Sequence, residues 1–250
     1  LARPRLVCLL PARNAAHDLP GYFASVEQFA DAIVALDDGS TDATAELLAA
    51  HLLVAILLRN PQRPDYRGWN DAANRNRLLA AAAELDPDWI ISLDADERLD
   101  PTDAEALRDF LATDALPGCA YGFQCFPMHR DLTHYSPTFI WVYRLFAFAP
   151  GQRFPDRRLH FSPIPTSIPR QAFIRTTLRI QHLANLTPER RRARFEKYRQ
   201  ADPDCHYWPD YSSLLQAPDD RDDALLRLLD GTQAHWPGQL HVLFEHVGGA

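Results

Sequence analysis

Four short apolar runs punctuate the first hundred residues, and each stops abruptly in polar sequence. Arg5 to Leu10 is ended by Pro11, and Asp31 to Leu36 by Asp37-Asp38-Gly39-Ser40-Thr41-Asp42. Leu52 to Leu58 is ended by the polar loop Arg59 to Gly68, and Trp89 to Leu93 by Asp94-Ala95-Asp96-Glu97. Unbroken apolar runs of this length read as strands buried on both faces of a parallel sheet. Segments with helical spacing lie between them. Asp18 to Ala30 sets Leu19, Phe23, Val26 and Phe29 on one face. A second helix follows the Gly39 turn to about Ala50, an alanine-rich third carries Arg75 between Asn70 and Leu85, and a fourth spans Pro101 to Ala112. Strand–helix units of about 25 to 30 residues have the spacing of βαβ crossovers. The pattern predicts an α/β, Rossmann-like, mostly parallel sheet flanked by helices.

The texture changes after about Pro117. Ala120 to Phe126 and Thr138 to Phe148 are aromatic, β-prone runs separated by the polar stretch Met128 to Pro137. Pro150 to Pro169 is a loop rich in proline, arginine and aromatics, and Ala172 to His182 has strand character. Pro188 to Gln200 is a basic helix, and a last helix is expected from Arg221 to Asp230. No linker separates residues 1–116 from residues 117–250, so the second half is expected to extend the same sheet.

Composition narrows the partners. A formal net charge of −7 over 250 residues argues against a surface that holds nucleic acid by neutralising phosphates. Cys8, Cys119, Cys125 and Cys205 lack metal-ligand spacing and read as free buried thiols of a reducing compartment. The longest apolar stretch is too short to span a bilayer, and no signal peptide is visible, so a cytoplasmic location is expected. Residues 189–199 concentrate Arg190, Arg191, Arg192, Arg194, Lys197 and Arg199. That helix is either a solvated face or a peripheral contact with anionic lipid at the inner face of a membrane, or with a phosphorylated acceptor.

The candidate chemistry sits at strand ends. Ligands of open α/β sheets bind outside the carboxyl ends of the strands, so the acids after the second and fourth runs can face one cleft. Asp-x-Asp there suits a hard divalent cation, which binds through one or two carboxylates plus substrate phosphates. Asp94 and Asp96 are the candidate Mn²⁺ or Mg²⁺ ligands, with Asp94 alternatively a ribose contact. Asp37 and Asp38 suit the base and ribose of a nucleotide, and Asn14 and Arg13 share their edge. Arg75 suits a diphosphate.

Asp37-Asp38-Gly39-Ser40-Thr41-Asp42 followed by Leu93-Asp94-Ala95-Asp96-Glu97 resembles the family 2 glycosyltransferases of the GT-A fold. Pro11-Ala12-Arg13-Asn14 resembles that family's opening loop, and Arg75-Asn76 its frequent Arg-Asn pair. Arg144-Leu145-Phe146 and Phe154 to His160 resemble the acceptor-side stretch of bacterial members, except that His160 is followed by Phe161 where a Glu is frequent. The resemblance implies a donor half (1–116) and an acceptor-side half (117–250). It implies a nucleotide-diphospho-sugar donor, a UDP-sugar by preference, and a divalent metal. The reaction implied is inverting transfer to a hydroxyl of a glycan, lipid-linked or small-molecule acceptor. Such a transfer needs a base; Asp156, Glu97 and His160 are the candidates, His160 also as a metal ligand. The rival readings are a non-catalytic nucleotide-sugar binding module and a sugar nucleotidyltransferase, the second disfavoured because the loop after the first strand has no glycine.

Overall fold

A computed structural model describes residues 3–135, 139–216 and, for the backbone, 227–228. Ten strands occur among them: β1 (Leu6–Ala12), β2 (Ala32–Asp37), β3 (Val54–Arg59), β4 (Trp89–Ser92), β5 (Glu97–Leu99), β6 (Ala120–Pro127), β7 (His134–Tyr135), β8 (Ile140–Ala147), β9 (Phe173–His182) and β10 (Arg227–Leu228). The α-helices are α1 (Leu19–Val26), α2 (Thr44–Ala50), α3 (Asp71–Ala82), α4 (Ala104–Thr113) and α5 (Pro188–Ala201). The expected helix at Arg221 to Asp230 lies outside the described residues, except that Arg227 and Leu228 pair as a strand with Tyr135 and His134.

Eight strands form one sheet in the order β3-β2-β1-β4-β8-β6-β9-β5. The first four are parallel, and β8 then joins antiparallel to β4. The α/β architecture expected from the apolar runs is therefore present, and the aromatic runs of the second half extend the same sheet. Side chains alternate across the central strands and both faces are covered. Leu6, Cys8 and Leu10 of β1 pack on one side with Tyr22, Phe23 and Val26 of α1 and Leu107 and Phe110 of α4. Val7 and Leu9 pack on the other with Leu78, Leu79 and Ala82 of α3. This two-sided burial explains why these strands read as continuous apolar runs.

Within the eight-stranded sheet β5 has no counterpart among the expected elements, and β7 lies in the stretch expected to be a polar loop. Strand β5 follows the acids directly and runs antiparallel to β9, with Glu97 opposite His182. Cys8 and Cys125 are buried free thiols as expected, whereas Cys205 is exposed.

β1 and β4 are neighbours, yet the chain leaves β1 toward β2 and β3 on one side and reaches β4 on the other. That reversal is the switch point where the carboxyl-end loops part and leave a crevice. The loop after β2 depends on Gly39. Its φ is +75°, and a Cβ there would meet the Pro61 carbonyl oxygen at 2.2 Å. Gly39→Ala is expected to lower stability by at least about 1–2 kcal/mol, the left-handed backbone term alone, read as a drop in Tm.

Candidate active site

The switch point opens into a cleft of about 750 Å³, within the range of small-ligand sites. One wall is made by the loops after β1 and β2. Asn14 ties them together: its backbone N–H donates to Ser40 Oγ at 2.9 Å, and its Oδ1 accepts from the Thr41 N–H at 2.8 Å. Asp38 is buried, with Oδ1 accepting from Asn60 Nδ2 at 2.5 Å and Oδ2 paired with Arg63. The Arg13 guanidinium lies over the Tyr66 ring at 4.2 Å. Its Nη2 reaches the Arg63 carbonyl oxygen, while Nε and Nη1 are buried without a hydrogen-bond partner among the described residues. Unsatisfied buried donors on a cleft wall suit an acceptor brought by a ligand. Asp37 corrects the expectation made for it. Its Oδ1 accepts from the Ser40 N–H at 3.2 Å, and it is absent from the cleft lining, so it serves the turn beneath the site.

The opposite wall carries the acids after β4, held by two arginines. Arg75 is buried, with Nε on Asp71 Oδ2 at 2.9 Å, Nη1 on Ser92 Oγ at 2.8 Å and Nη2 on Asp94 Oδ1. The side chain expected to meet a diphosphate is thus first a strut for Asp94. Arg144, on β8, donates to Glu97 Oε1 at 2.5 Å and lies 3.5 Å from Asp94 Oδ2. Burial alone would raise the Asp94 pKa, but Arg75 and Arg144 overcome it and hold the carboxyl below its ordinary range. Glu97 is 1% exposed. Its Oε2 accepts from the Asp94 N–H at 3.1 Å, and burial keeps its pKa raised despite Arg144. With both oxygens engaged, Glu97 is a buttress rather than a base.

Asp96 differs from these. Its Oδ2 lies 3.6 Å from His182 Nε2, which the β5–β9 register brings alongside. Burial opposes its ionisation, and His182, Lys197 and Arg194 reverse that, holding Asp96 well below the usual carboxylate range. His182, which ends the strand-like run from Ala172, is the imidazole beside these acids. The other two base candidates fall elsewhere. Asp156 is exposed and outside the cleft lining. His160 lines the cleft, but none of the described acids lies within ion-pair distance of it, so it does not join Asp94 and Asp96 in a ligand set. Its ring packs against Tyr198, Trp208 and Tyr211.

Helix α5 roofs the cleft. Thr187 caps it by accepting from the Arg190 N–H at 3.3 Å, with Pro188 in its first turn. Arg190, Ala193, Arg194, Lys197 and Tyr198 recur at helical spacing and face inward. Arg190 pairs with Asp18 at 2.5 Å across the mouth, and Lys197 Nζ stands 4.2 Å from the Trp69 ring centroid. The helix expected to be a solvated or membrane-facing surface therefore turns one face to the acids, leaving Arg192 and Arg199 exposed. The chain shows helical cations without an apolar stripe; what they face follows from α5 folding back over β1 and β4. No described helix is long and apolar enough to cross a membrane.

Arg144→Leu leaves the Glu97 carboxylate buried and unpaired, a change that costs about 3–5 kcal/mol. A pKa raised in the fold means that the native state binds more protons above the unfolded value, so stability falls as pH rises. Urea denaturation is expected to show the variant's loss to be larger at pH 8 than at pH 5.

The family profile "Glycosyl transferase family 2" matches residues 8–178. An uncharacterized protein of Mycobacterium tuberculosis is 30% identical over 217 residues, covering 81% of this chain and 52% of the relative. A Mycobacterium bovis protein gives the same figures, so the chain spans about half the length of these curated relatives. Among solved structures, S. aureus TarS (residues 1–349) superposes with a TM-score of 0.47 at 12% identity, over 84% of this chain and 69% of that one. A mannosyltransferase from Pyrobaculum calidifontis, in complex with GDP-Man and Mn²⁺, gives 0.39 at 21% identity, over 49% and 36%. With the profile spanning both walls of the cleft, the chain belongs to glycosyl transferase family 2.

Proposed function

We propose that the cleft binds a nucleotide-diphospho-sugar and transfers the sugar, with inversion, to an acceptor hydroxyl. The observation that carries this reading is the opposition of two walls at one switch point. Asp38, Asn14 and Arg13 offer hydrogen-bonding groups of both kinds to a base and ribose. Asp94 and Asp96 stand across from them, and Arg194 and Lys197 of α5 face the acids with positive charge. A diphosphate lying between acids and cations requires a countercharge on the acidic side, and a divalent metal supplies it.

The residues present fit such a metal as a half-site. Among the described residues no group of three His, Cys, Asp or Glu side chains is placed to hold one. Asp94 is already tied to two arginines, which leaves Asp96 as the direct ligand and His182 as its neighbour. One carboxylate oxygen and one imidazole nitrogen suit Mn²⁺ or Mg²⁺ when substrate phosphates complete the shell, Mn²⁺ better for the imidazole. When bound, the metal supplies Lewis-acid neutralisation of the departing nucleoside diphosphate. The chain's own groups do the rest. Arg75 and Arg144 fix the loop that carries Asp96, Lys197 and Arg194 stabilise charge on the leaving phosphate, and Trp69, Tyr66 and Tyr198 exclude water beneath α5. Most cleft carboxylates are engaged by cations, which favours one direct displacement by the acceptor over a covalent sugar–enzyme intermediate.

Release of UDP or GDP from UDP-glucose, UDP-N-acetylglucosamine or GDP-mannose in Mn²⁺, with glycerol as acceptor, tests the reading. The wild type is expected to turn over at least one donor, and Asp96→Asn to lose about 100-fold or more in rate, a loss of the size seen when a charge-stabilising group is removed. Lys197→Gln is expected to lose about tenfold, the effect of about 1.4 kcal/mol. Nucleotide binding without turnover would favour the non-catalytic binding module, and full activity of Asp96→Asn would remove the metal role.

A further inference from the structure

An inverting transfer requires a proton acceptor at the cleft, and nearly every carboxylate there is held by a cation or by structure. Asp94 lies between Arg75 and Arg144, Glu97 is buried on Arg144, Asp71 is on Arg75, Asp38 is on Arg63, Asp18 is on Arg190, and Glu189 stands exposed in the first turn of α5 beside the capping Thr187. Asp96 faces His182 at 3.6 Å, and both belong to the proposed metal half-site, which leaves neither to take the proton. His160 is different.

Its Nε2 lies 2.9 Å from the Tyr211 hydroxyl, and that hydroxyl donates to Asp202 Oδ2 at 2.8 Å. Asp202 closes α5 and is 3% exposed; its oxygens also accept from the His206 N–H at 2.8 Å and the Tyr207 N–H at 2.9 Å. Those donors overcome burial and keep its carboxyl ionised. The directions of the bonds are then forced. A carboxylate only accepts, so the single Tyr211 proton points to Asp202. The Tyr211 oxygen is left as acceptor, and His160 must donate to it from Nε2. The neutral ring therefore carries its lone pair on Nδ1, which has no hydrogen-bond partner among the described residues. The backbone at His160 has φ +55°, a left-handed conformation that a non-glycine residue adopts at a cost. The ring packs against Tyr198 and Tyr211, with centroids at 4.8 and 5.7 Å, and those two rings stack on each other at 5.2 Å. Of the charged groups around it, Arg157 on its own loop and Arg194 on α5 oppose protonation, while Asp202 and Asp71 favour it. Burial, followed by Arg157, leaves its pKa below the ordinary histidine value, so the ring is neutral at pH 7.

We propose that His160 is the base that accepts the acceptor hydroxyl's proton, and that Tyr211 and Asp202 are positioning residues that fix its orientation and tautomer. The proposal rests on the transfer reading above. In the step, the acceptor O–H proton passes to His160 Nδ1 as the oxygen forms its bond to the anomeric carbon. The bond from that carbon to the phosphate oxygen breaks, and its electron pair leaves with the nucleoside diphosphate. The imidazolium formed still donates from Nε2 to Tyr211, with the Asp202 carboxylate behind it, the arrangement that stabilises a histidine as it becomes charged. Phe161, standing where the resemblance led one to look for Glu, then costs the site nothing, because the preceding residue does the work.

The same donors, Mn²⁺ and glycerol test it. His160→Ala is expected to lower kcat by about 100-fold or more, to bind UDP or GDP as the wild type does, and to regain rate with added imidazole. The wild-type rate should fall on the acid side, at a pH below the ordinary histidine range. Tyr211→Phe and Asp202→Asn remove support for the imidazolium, so that acid limb should move to lower pH, which a merely structural role would not cause. Two-bond ¹H–¹⁵N spectra of the wild type should show His160 as the Nε2–H tautomer whatever the donor. A His160→Ala enzyme within about threefold of the wild-type rate, or an Nδ1–H tautomer, would overturn the proposal. No nucleoside diphosphate release by the wild type from any donor would instead overturn the transfer reading on which it rests.

Discussion

Two buried guanidinium groups hold the acids of this protein where the sheet ends. The carboxylates of Asp94, Asp96 and Glu97 fall within four residues, and like charges that close do not stay ionised in a buried place without countercharge. Arg75 comes to them from α3 and Arg144 from β8, so the acidic turn is fixed by an element on each side of β4. The clamp has a consequence for the division of labour. It engages Asp94 and Glu97 with arginines and leaves Asp96 facing the cleft with His182 beside it.

The same logic of paired charge shapes the rest of the cleft. Asp18 holds α5 through Arg190, and Arg158 reaches the Trp69 and Ala201 carbonyl oxygens from below at 2.6 and 2.8 Å. Helix α5 is thereby fastened at both ends over the switch point, with its inward cations opposite the acids. A roof of positive charge above a floor of negative charge is poorly suited to an apolar ligand and well suited to one that carries phosphate and meets a metal.

Much of this was legible in the sequence, and the part that was has a common cause. The four parallel strands, the Gly39 turn and the strand-end acids are encoded locally, by runs of apolar residues and by the residues that interrupt them. What escaped depends on partners distant in the chain. β5 is three residues long and becomes a strand only because β9, about eighty residues on, pairs with it. Arg144 carried a signal that could have been read: a lone arginine in the apolar run Ile140–Ala147 requires a buried partner. Asp156 was drawn in by its place in the chain, but the loop it sits on turns it to solvent, and Asp37 by its neighbour Asp38, although the turn uses the first acid and exposes the second to the cleft. The Asp202–Tyr211–His160 chain joins residues separated by about fifty positions and has no local pattern at all.

If two walls at one switch point form a nucleoside-diphosphate site completed by metal at Asp96, nucleotide binding there depends on both the metal and that carboxylate. Calorimetric titration of UDP and GDP, each with and without Mn²⁺, into the wild type and Asp96→Asn tests it most directly. At least one nucleotide is expected to bind the wild type more tightly with Mn²⁺, and Asp96→Asn to erase the metal's contribution while retaining the metal-free affinity. Binding of neither nucleotide, or a Mn²⁺ effect that survives in Asp96→Asn, would contradict it.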